Sequence, residues 1–314
     1  MLLEIGIVRL SAIILGVILV AIAILEAILR FAFGLGNPLL YQTDAEIGYL
    51  LAPNQKTRRS GNYIEINQYS MRSAPIAAIP PANTTRILLL GDSIANGAWW
   101  TDQSRTISAL VGEGLSRSIS PPVEVLNASA NSWGPRNQLA YLERFGTFGA
   151  RVLVLLMNTD DLFATAPSSA VVGRDINYPD RSPGFAIIEL YDKYFKRYPP
   201  VPKVKEEGDR LAINLAAVEK IQAIARENQA TFILAITPLI RESRKEGKDY
   251  EIKARRKLAE FARDRSIPYV DFLPVFQGVT PPDSLYRDNI HLSPAGNALV
   301  SQKLADVVRE VLER

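Results

Sequence analysis

The sequence predicts an α/β protein built on a parallel sheet. The expectation rests on a recurring pair of patterns and on where the turns between them fall. Short apolar runs recur from residue 86 onward: RILLL (86–90), VEVLN (123–127), RVLVLLM (151–157), TFILAI (231–236) and PYVDF (268–272). Segments with apolar residues at helical spacing follow or separate them, at 103–118, 135–147, 209–228, 247–265 and 294–313. Strands apolar on both faces, alternating with amphipathic helices, are what βαβ units require, because crossover helices cover both sides of the sheet. Five such strands fit a flavodoxin-like three-layer α/β/α sandwich with a five-stranded parallel sheet, in which ligands bind beyond the carboxyl ends of the strands. Ser93 and the segments after Asn127, Met157 and Thr237 fall at such ends.

An apolar N-terminus precedes this pattern. Residues 10–25 carry no charge, and the apolar character continues past Glu26 to Phe33. Leu10 to Phe33 is 24 residues, enough to cross about 30 Å of hydrocarbon. A cleaved signal peptide would normally hold a shorter apolar run of roughly 7–15 residues, and AFG at 32–34 is a poor cleavage site. The reading taken is an uncleaved single-pass transmembrane anchor over 1–34, with a buried soluble helix as a further alternative. Arg9 and Arg30 at its two ends barely discriminate orientation. A cytoplasmic N-terminus, with the main domain extracytoplasmic, follows the usual behaviour of short-tailed anchors. Residues 35–85 read as a connecting segment, with a short strand pair around YIEINQYSMRS and a Pro/Ala-rich linker at its end.

Composition excludes several functions. The 36 basic and 33 acidic residues leave a formal +3, too little to argue for nucleic acid. The densest basic stretch, 241–257, interleaves acids and reads as a solvated helical face. Without cysteine there is no disulfide, lipid-modified cysteine or thiol nucleophile, and with one histidine a transition-metal site is not expected. No cofactor is expected.

The chemistry-bearing stretches are GDSIANG (91–97), directly after the first strand, and YRDNIHLSPAG (286–296). Ser, Asp and Gly favour turns and N-caps for local reasons, so GDS alone reads equally as a turn. A nucleophilic serine needs a base, and the one histidine, His291, stands three residues after Asp288 and just before a helix marked by Ser293 and Pro294. An Asp so placed can turn back onto one ring nitrogen and leave the other free to deprotonate a serine. Taken together, LLLGDS and D-x-x-H at opposite ends of the domain resemble the SGNH (GDSL-type) hydrolase family, from about residue 86 to 314. The resemblance implies Ser93 as nucleophile, His291 as general base and acid, and Asp288 as its orienting partner. An α/β-hydrolase is the less apt comparison, because GDSIA is not G-x-S-x-G and the Asp–His spacing is too short for separate strand ends.

The family's oxyanion hole implies three donors: the nucleophile's amide, a glycine amide after the second strand and an asparagine side chain after the third. The first falls on Ser93. Ser132 stands where the glycine is usual, keeping an amide but losing φ freedom, with Gly134 as a neighbouring alternative. In MNTDDLF (157–163) the asparagine's place is taken by Asp160. An ionised Asp cannot donate and would repel an oxyanion. Three resolutions stay open: Asn158 supplies the amide, Asp160 is protonated, or the site is weak; the reading adopted is Asn158. Trp99, Trp100, Asn131 and Trp133 would line the pocket, or serve helix–sheet packing. Residues 162–208 are too long for a plain crossover. Their Tyr191, Tyr194, Phe195 and Tyr198 form one aromatic face, which packs on the body or acts as a lid over the site. The expected function is a serine esterase or acylhydrolase, cleaving or transferring an O-acyl group of a glycan or lipid at the cell envelope. The alternative is a catalytically weakened glycan-binding or scaffolding module of the same fold.

Overall fold

The computed structural model describes residues 2–120 and 122–314, with side chains of the first helix from Ile5. That helix, α1 (Leu2–Phe33), leaves residues 5–25 exposed along its whole circumference. Two antiparallel hairpins follow, β1 (Tyr41–Asp44) with β2 (Gly48–Leu51) and β3 (Gln55–Arg59) with β4 (Asn62–Ile66). The alternating core then runs β5 (Thr85–Gly91), α2 (Ser93–Asn96), α3 (Ile107–Ser116), β6 (Val123–Ser129), α4 (Pro135–Phe145) and β7 (Val152–Asn158). After α5 (Ala186–Phe195) come α6 (Arg210–Glu227), β8 (Thr231–Thr237), α7 (Ile240–Ser243), α8 (Asp249–Asp264), β9 (Tyr269–Asp271), α9 (Leu273–Gln277) and α10 (Pro294–Glu313).

The five strands β5 to β9 form one parallel sheet in the order β6-β5-β7-β8-β9. Strand side chains alternate between two cores, as the period of two demands. Leu88, Leu90, Leu153, Leu155, Leu234 and Ile236 face one side, with α4, α6 and α8. Ile87, Leu89, Val152, Val154, Ile233 and Ala235 face the other, with α3, α9 and α10. This is the three-layer sandwich read from the sequence. Chain direction across the sheet reverses between β5 and β7, the crevice where doubly wound sheets bind ligands. Ser93 follows β5 and Asn158 ends β7.

Residues 35–85 carry more than the single short strand pair expected of them. They hold two hairpins, and Ile47, Leu50, Leu51, Ile64, Ile66 and Met71 are wholly buried in the same core as α4. Strands of four or five residues offer too little alternation to be recognised alone, and most of their stabilisation comes from the sheet face they cover. Arg72 goes further and enters the body. Its guanidinium donates to the carbonyls of Asn96, Ala98 and Thr101 at 2.5–3.1 Å. Burial lowers its pKa to about 10.

Three rings of the 191–198 aromatic face stand out in solvent, while Tyr198, beyond the end of α5, is half-buried. Tyr191, Tyr194 and Phe195 are 59–69% exposed. The first turn of α5 is tied to the end of α1, where Glu26 accepts the amides of Ala186 and Ile187.

Candidate active site

Ser93 is presented by a tight turn from β5 into α2. Gly91 is required there, because a Cβ would lie 2.5 Å from the Ala95 Cβ and 3.0 Å from the Leu156 carbonyl. Asp92 caps the turn, accepting from the Ile94 amide at 2.8 Å. It is fully buried, and burial pushes its pKa up against the opposing pull of that amide, His291 and Asn158. The Ser93 hydroxyl lies 2.9 Å from His291 Nε2 and 3.5 Å from Asp92 Oδ2, so the imidazole is its close partner.

The second half comes from one short loop. His291 Nδ1 lies 2.8 Å from Asp288 Oδ2, and Asp288 Oδ1 accepts the amides of Ile290 and His291 at 3.0 and 2.9 Å. Partial burial raises the Asp288 pKa, but these amides and the imidazole outweigh it and hold the carboxyl below its ordinary value. Ser293 caps the following helix by accepting from the Gly296 amide, which fixes the loop's exit. Trp100 stands edge-on to the His291 ring with centroids 4.7 Å apart, and the Arg287 guanidinium lies over both Trp99 and Trp100.

The facing wall is the loop after β6. Ser132 takes φ +57°, the left-handed conformation natural to glycine, at a cost of about 1–2 kcal/mol for an L-residue. Long-range hydrogen bonds hold it there. Tyr178 donates to Ser132 Oγ at 2.8 Å, Tyr49 donates to the Asn131 carbonyl at 2.6 Å, and Asn137 Nδ2 donates to the Ile47 carbonyl at 2.8 Å. Trp133 does not line a pocket: it is 1% exposed, donates from Nε1 to the Tyr49 carbonyl, and packs on Tyr141. Its place on the loop turns the indole inward, where its apolar area is buried and its N–H satisfied.

Asn158 and Asp160 part company at the end of β7. Asn158 is buried, donates from Nδ2 to Asp92 Oδ2 at 2.7 Å and accepts from the Asp160 amide at 2.7 Å. One Nδ2 proton is therefore uncommitted to these partners. The Asp160 side chain is half exposed at the rim, 3.8 Å from Arg241, and partial burial raises its pKa despite that guanidinium. Asp161 is buried and accepts from the Asn158 amide at 2.9 Å; burial and the nearby Asp92 carboxyl push its pKa well up.

Ser93, His291, Ser132, Asn158 and Asp160 line one open cavity of about 660 Å³. Its outer wall comes from 164–171 and 201–204, with Lys203 and Arg210 at its edge. Trp99, Trp100 and Asn131 are not among the lining residues. Sequence reasoning missed Asp92 as the partner of Asn158, and Tyr49 and Tyr178 as the supports of 131–132. The first reads locally as a turn residue, and the others lie 82 and 46 residues from their partners. Among the described residues, no cluster of three or more His, Cys, Asp or Glu side chains is placed to hold a metal ion.

Comparison with known proteins gives the family of the chain. No curated protein matches the chain. Solved structures similar to it include a lipase/acylhydrolase from Enterococcus faecalis, with TM-score 0.46, 17% identity, and coverage of 72% of this chain and 96% of that one. An acetylxylan esterase from Geobacillus stearothermophilus gives 0.48, 16%, 74% and 96%. The esterase EstA from Pseudoalteromonas gives 0.44, 14%, 73% and 100%. The sequence model of the GDSL-like Lipase/Acylhydrolase family matches residues 89–299, more than half of the chain and the whole span from the strand before Ser93 to the helix after His291. The chain belongs to the GDSL-like lipase/acylhydrolase family of ester-hydrolysing enzymes.

Proposed function

We propose that this chain is a membrane-anchored serine acylhydrolase, in which Ser93, His291 and Asp288 act as a triad on an O-acylated glycan or lipid at the cell envelope. The observation that carries the reading is the relay of short contacts from Ser93 Oγ to His291 Nε2, at 2.9 Å, and from His291 Nδ1 to Asp288, at 2.8 Å. Nε2 takes the hydroxyl proton as Oγ bonds to the acyl carbon. Asp288, held ionised by its depressed pKa, keeps Nδ1–H oriented and stabilises the imidazolium. The proton then passes to the departing alkoxide and leaves an acyl-serine. Water, or a sugar hydroxyl in the case of transfer, attacks that ester by the reverse sequence.

The developing oxyanion would be met by the amides of Ser93 and Ser132 and by the free Nδ2 proton of Asn158. Asp160, half exposed and beside Arg241, stays outside this set. In this reading residues 1–34 are the anchor, 86–314 the hydrolase domain, and 162–208 an insertion whose two ends cover the cavity. The anchor is supported by a 29-residue apolar helix, Ile5–Phe33, whose most apolar 18-residue stretch has mean hydropathy 3.0.

The test is labelling of the full chain in detergent by a fluorophosphonate, with Ser93→Ala and His291→Ala beside it. Labelling is expected in the parent and lost in both variants, with ester hydrolysis falling by at least about 10⁴-fold. A folded parent that takes no label would overturn the triad and leave a binding module.

A further inference from the structure

Helix α5 carries an apolar face that nothing in the described chain covers. Among the described residues beyond α1, ten large apolar side chains are exposed. Five of them fall on α5 and its N-cap: Phe185, Ile188, Tyr191, Tyr194 and Phe195. Within this face Tyr191 and Phe195 stack with centroids 5.3 Å apart. A cluster of this kind marks an interaction surface rather than the scattered apolar exposure of ordinary surfaces.

The position of α5 is set by α1. The Glu26 carboxylate accepts the amides of Ala186 and Ile187 at 2.9 and 3.0 Å, so a residue of α1 caps the first turn of α5. Arg30 donates to the Gly184 carbonyl, and Leu29 is buried at the joint. On the other side Glu189 accepts the Gly36 amide and pairs with Arg59. Now count along α1 from Arg9, the last charge before the apolar run. Leu10 to Leu29 is twenty residues. At 1.5 Å per residue that is about 30 Å, the thickness of a hydrocarbon core. The joint with α5 therefore lies level with one edge of that core. Tyrosines and phenylalanines at that depth, flanked by basic residues, have the composition of an interfacial belt. The Lys193 ammonium lies 5.6 Å from the Tyr194 ring centroid, ready to reach past the ring to anionic headgroups, while Lys196, 5.0 Å from the Tyr198 centroid, is paired with Asp192.

We infer that α5 is a second membrane contact. It lies along the surface of the bilayer that α1 enters, with its aromatic face among the upper acyl chains and Lys193 at the headgroups. The inference rests on reading α1 as a membrane anchor. It also bears on the site. Val201, in the cavity wall, is six residues beyond Phe195, at most about 22 Å of extended chain. The contact thus holds the mouth of the cavity close to the bilayer surface, within reach of an acyl ester carried by a lipid.

The cysteine-free chain allows a direct test. Leu15→Cys and Tyr191→Cys variants of the full chain, each labelled with a fluorophore, are reconstituted in phosphatidylcholine–phosphatidylglycerol vesicles containing lipids brominated at defined depths. Retained ester hydrolysis by both variants reports the fold. Loss of emission is expected at both positions, with deep bromines acting on position 15 and shallow ones on position 191. Quenching at 15 with none at 191 overturns the contact and leaves the anchor standing. Quenching at neither position removes the anchor, and the inference falls with it.

Discussion

The two walls of the cavity are built in different ways. On one side, Asp288 and His291 are three residues apart in one loop, and the loop is closed by its own amides and by the Ser293 cap. On the other, the 131–132 loop and Asn158 owe their positions to Tyr49, Tyr178 and Asp92, residues that lie 46 to 82 positions away in sequence. A wall made of local contacts is specified by a short motif. One made of distant contacts tolerates substitutions in the motif, as long as the distant partners hold the backbone. That is how Ser132 occupies a glycine conformation, and how Asn158 is held at the end of β7 by Asp92.

The largest test of this contrast is at the end of β7. Asn158→Ala should lower kcat by about 10²–10³-fold, the worth of one oxyanion donor of about 2.7–4 kcal/mol, while Asp160→Ala changes it little. Steady-state kinetics on a soluble ester separate them, and the reverse order would move the oxyanion site to Asp160. Next come the supports of the loop. Tyr178→Phe and Tyr49→Phe should each lower kcat by about tenfold with KM nearly unchanged, from about 1–2 kcal/mol of lost positioning. Tyr41→Phe, whose buried hydroxyl has no hydrogen-bond partner among the described residues, should leave kcat unchanged and the fold no less stable.

A pH effect follows from the buried carboxyls behind Asn158. The folded-state pKa of Asp161 lies well above its ordinary value of 3.8, so between the two values the folded chain binds the extra proton. Stability from this group is therefore greatest at acid pH and falls as pH rises through that window. Asp161→Asn should flatten the slope, measured by urea unfolding from about pH 4 to 7, and a variant as steep as the parent would place the proton elsewhere. Among the substitutions that remove a contact, the smallest effect is expected for Ser132→Gly. Ser132→Gly keeps the amide and the positive φ and loses the Tyr178 hydrogen bond, a change within about 1 kcal/mol in both stability and activation energy. Ser132→Val, with a β-branched side chain in the left-handed region, should cost about 1–2 kcal/mol of stability.

Much of this molecule was readable before the fold was known. The five strands lie within two or three residues of their apolar runs, because each run is buried on both faces and stops where a turn residue begins. The hairpins at 41–66 were only half read, since strands of four and five residues leave no pattern apart from the face they cover. For Trp133 the sequence leaves pocket lining and packing both open, and the indole packs. Nearness to a loop in sequence says nothing of which way an indole turns.

The sequence by itself determined the α/β class, the apolar helix at the N-terminus, the pairing of Asp288 with His291, and GDS as the serine's setting. All of these rest on spacings of a few residues, where chain geometry leaves few choices. Tertiary structure alone decided that Ser93 meets His291 across 198 positions and that Arg72 underlies the 96–101 loop. It also decided that Asn158 answers to Asp92, and that Glu26 of the apolar helix caps α5. Those contacts join segments whose separation in sequence carries no trace of their distance in space. They form only when burial of the two apolar cores brings the segments together.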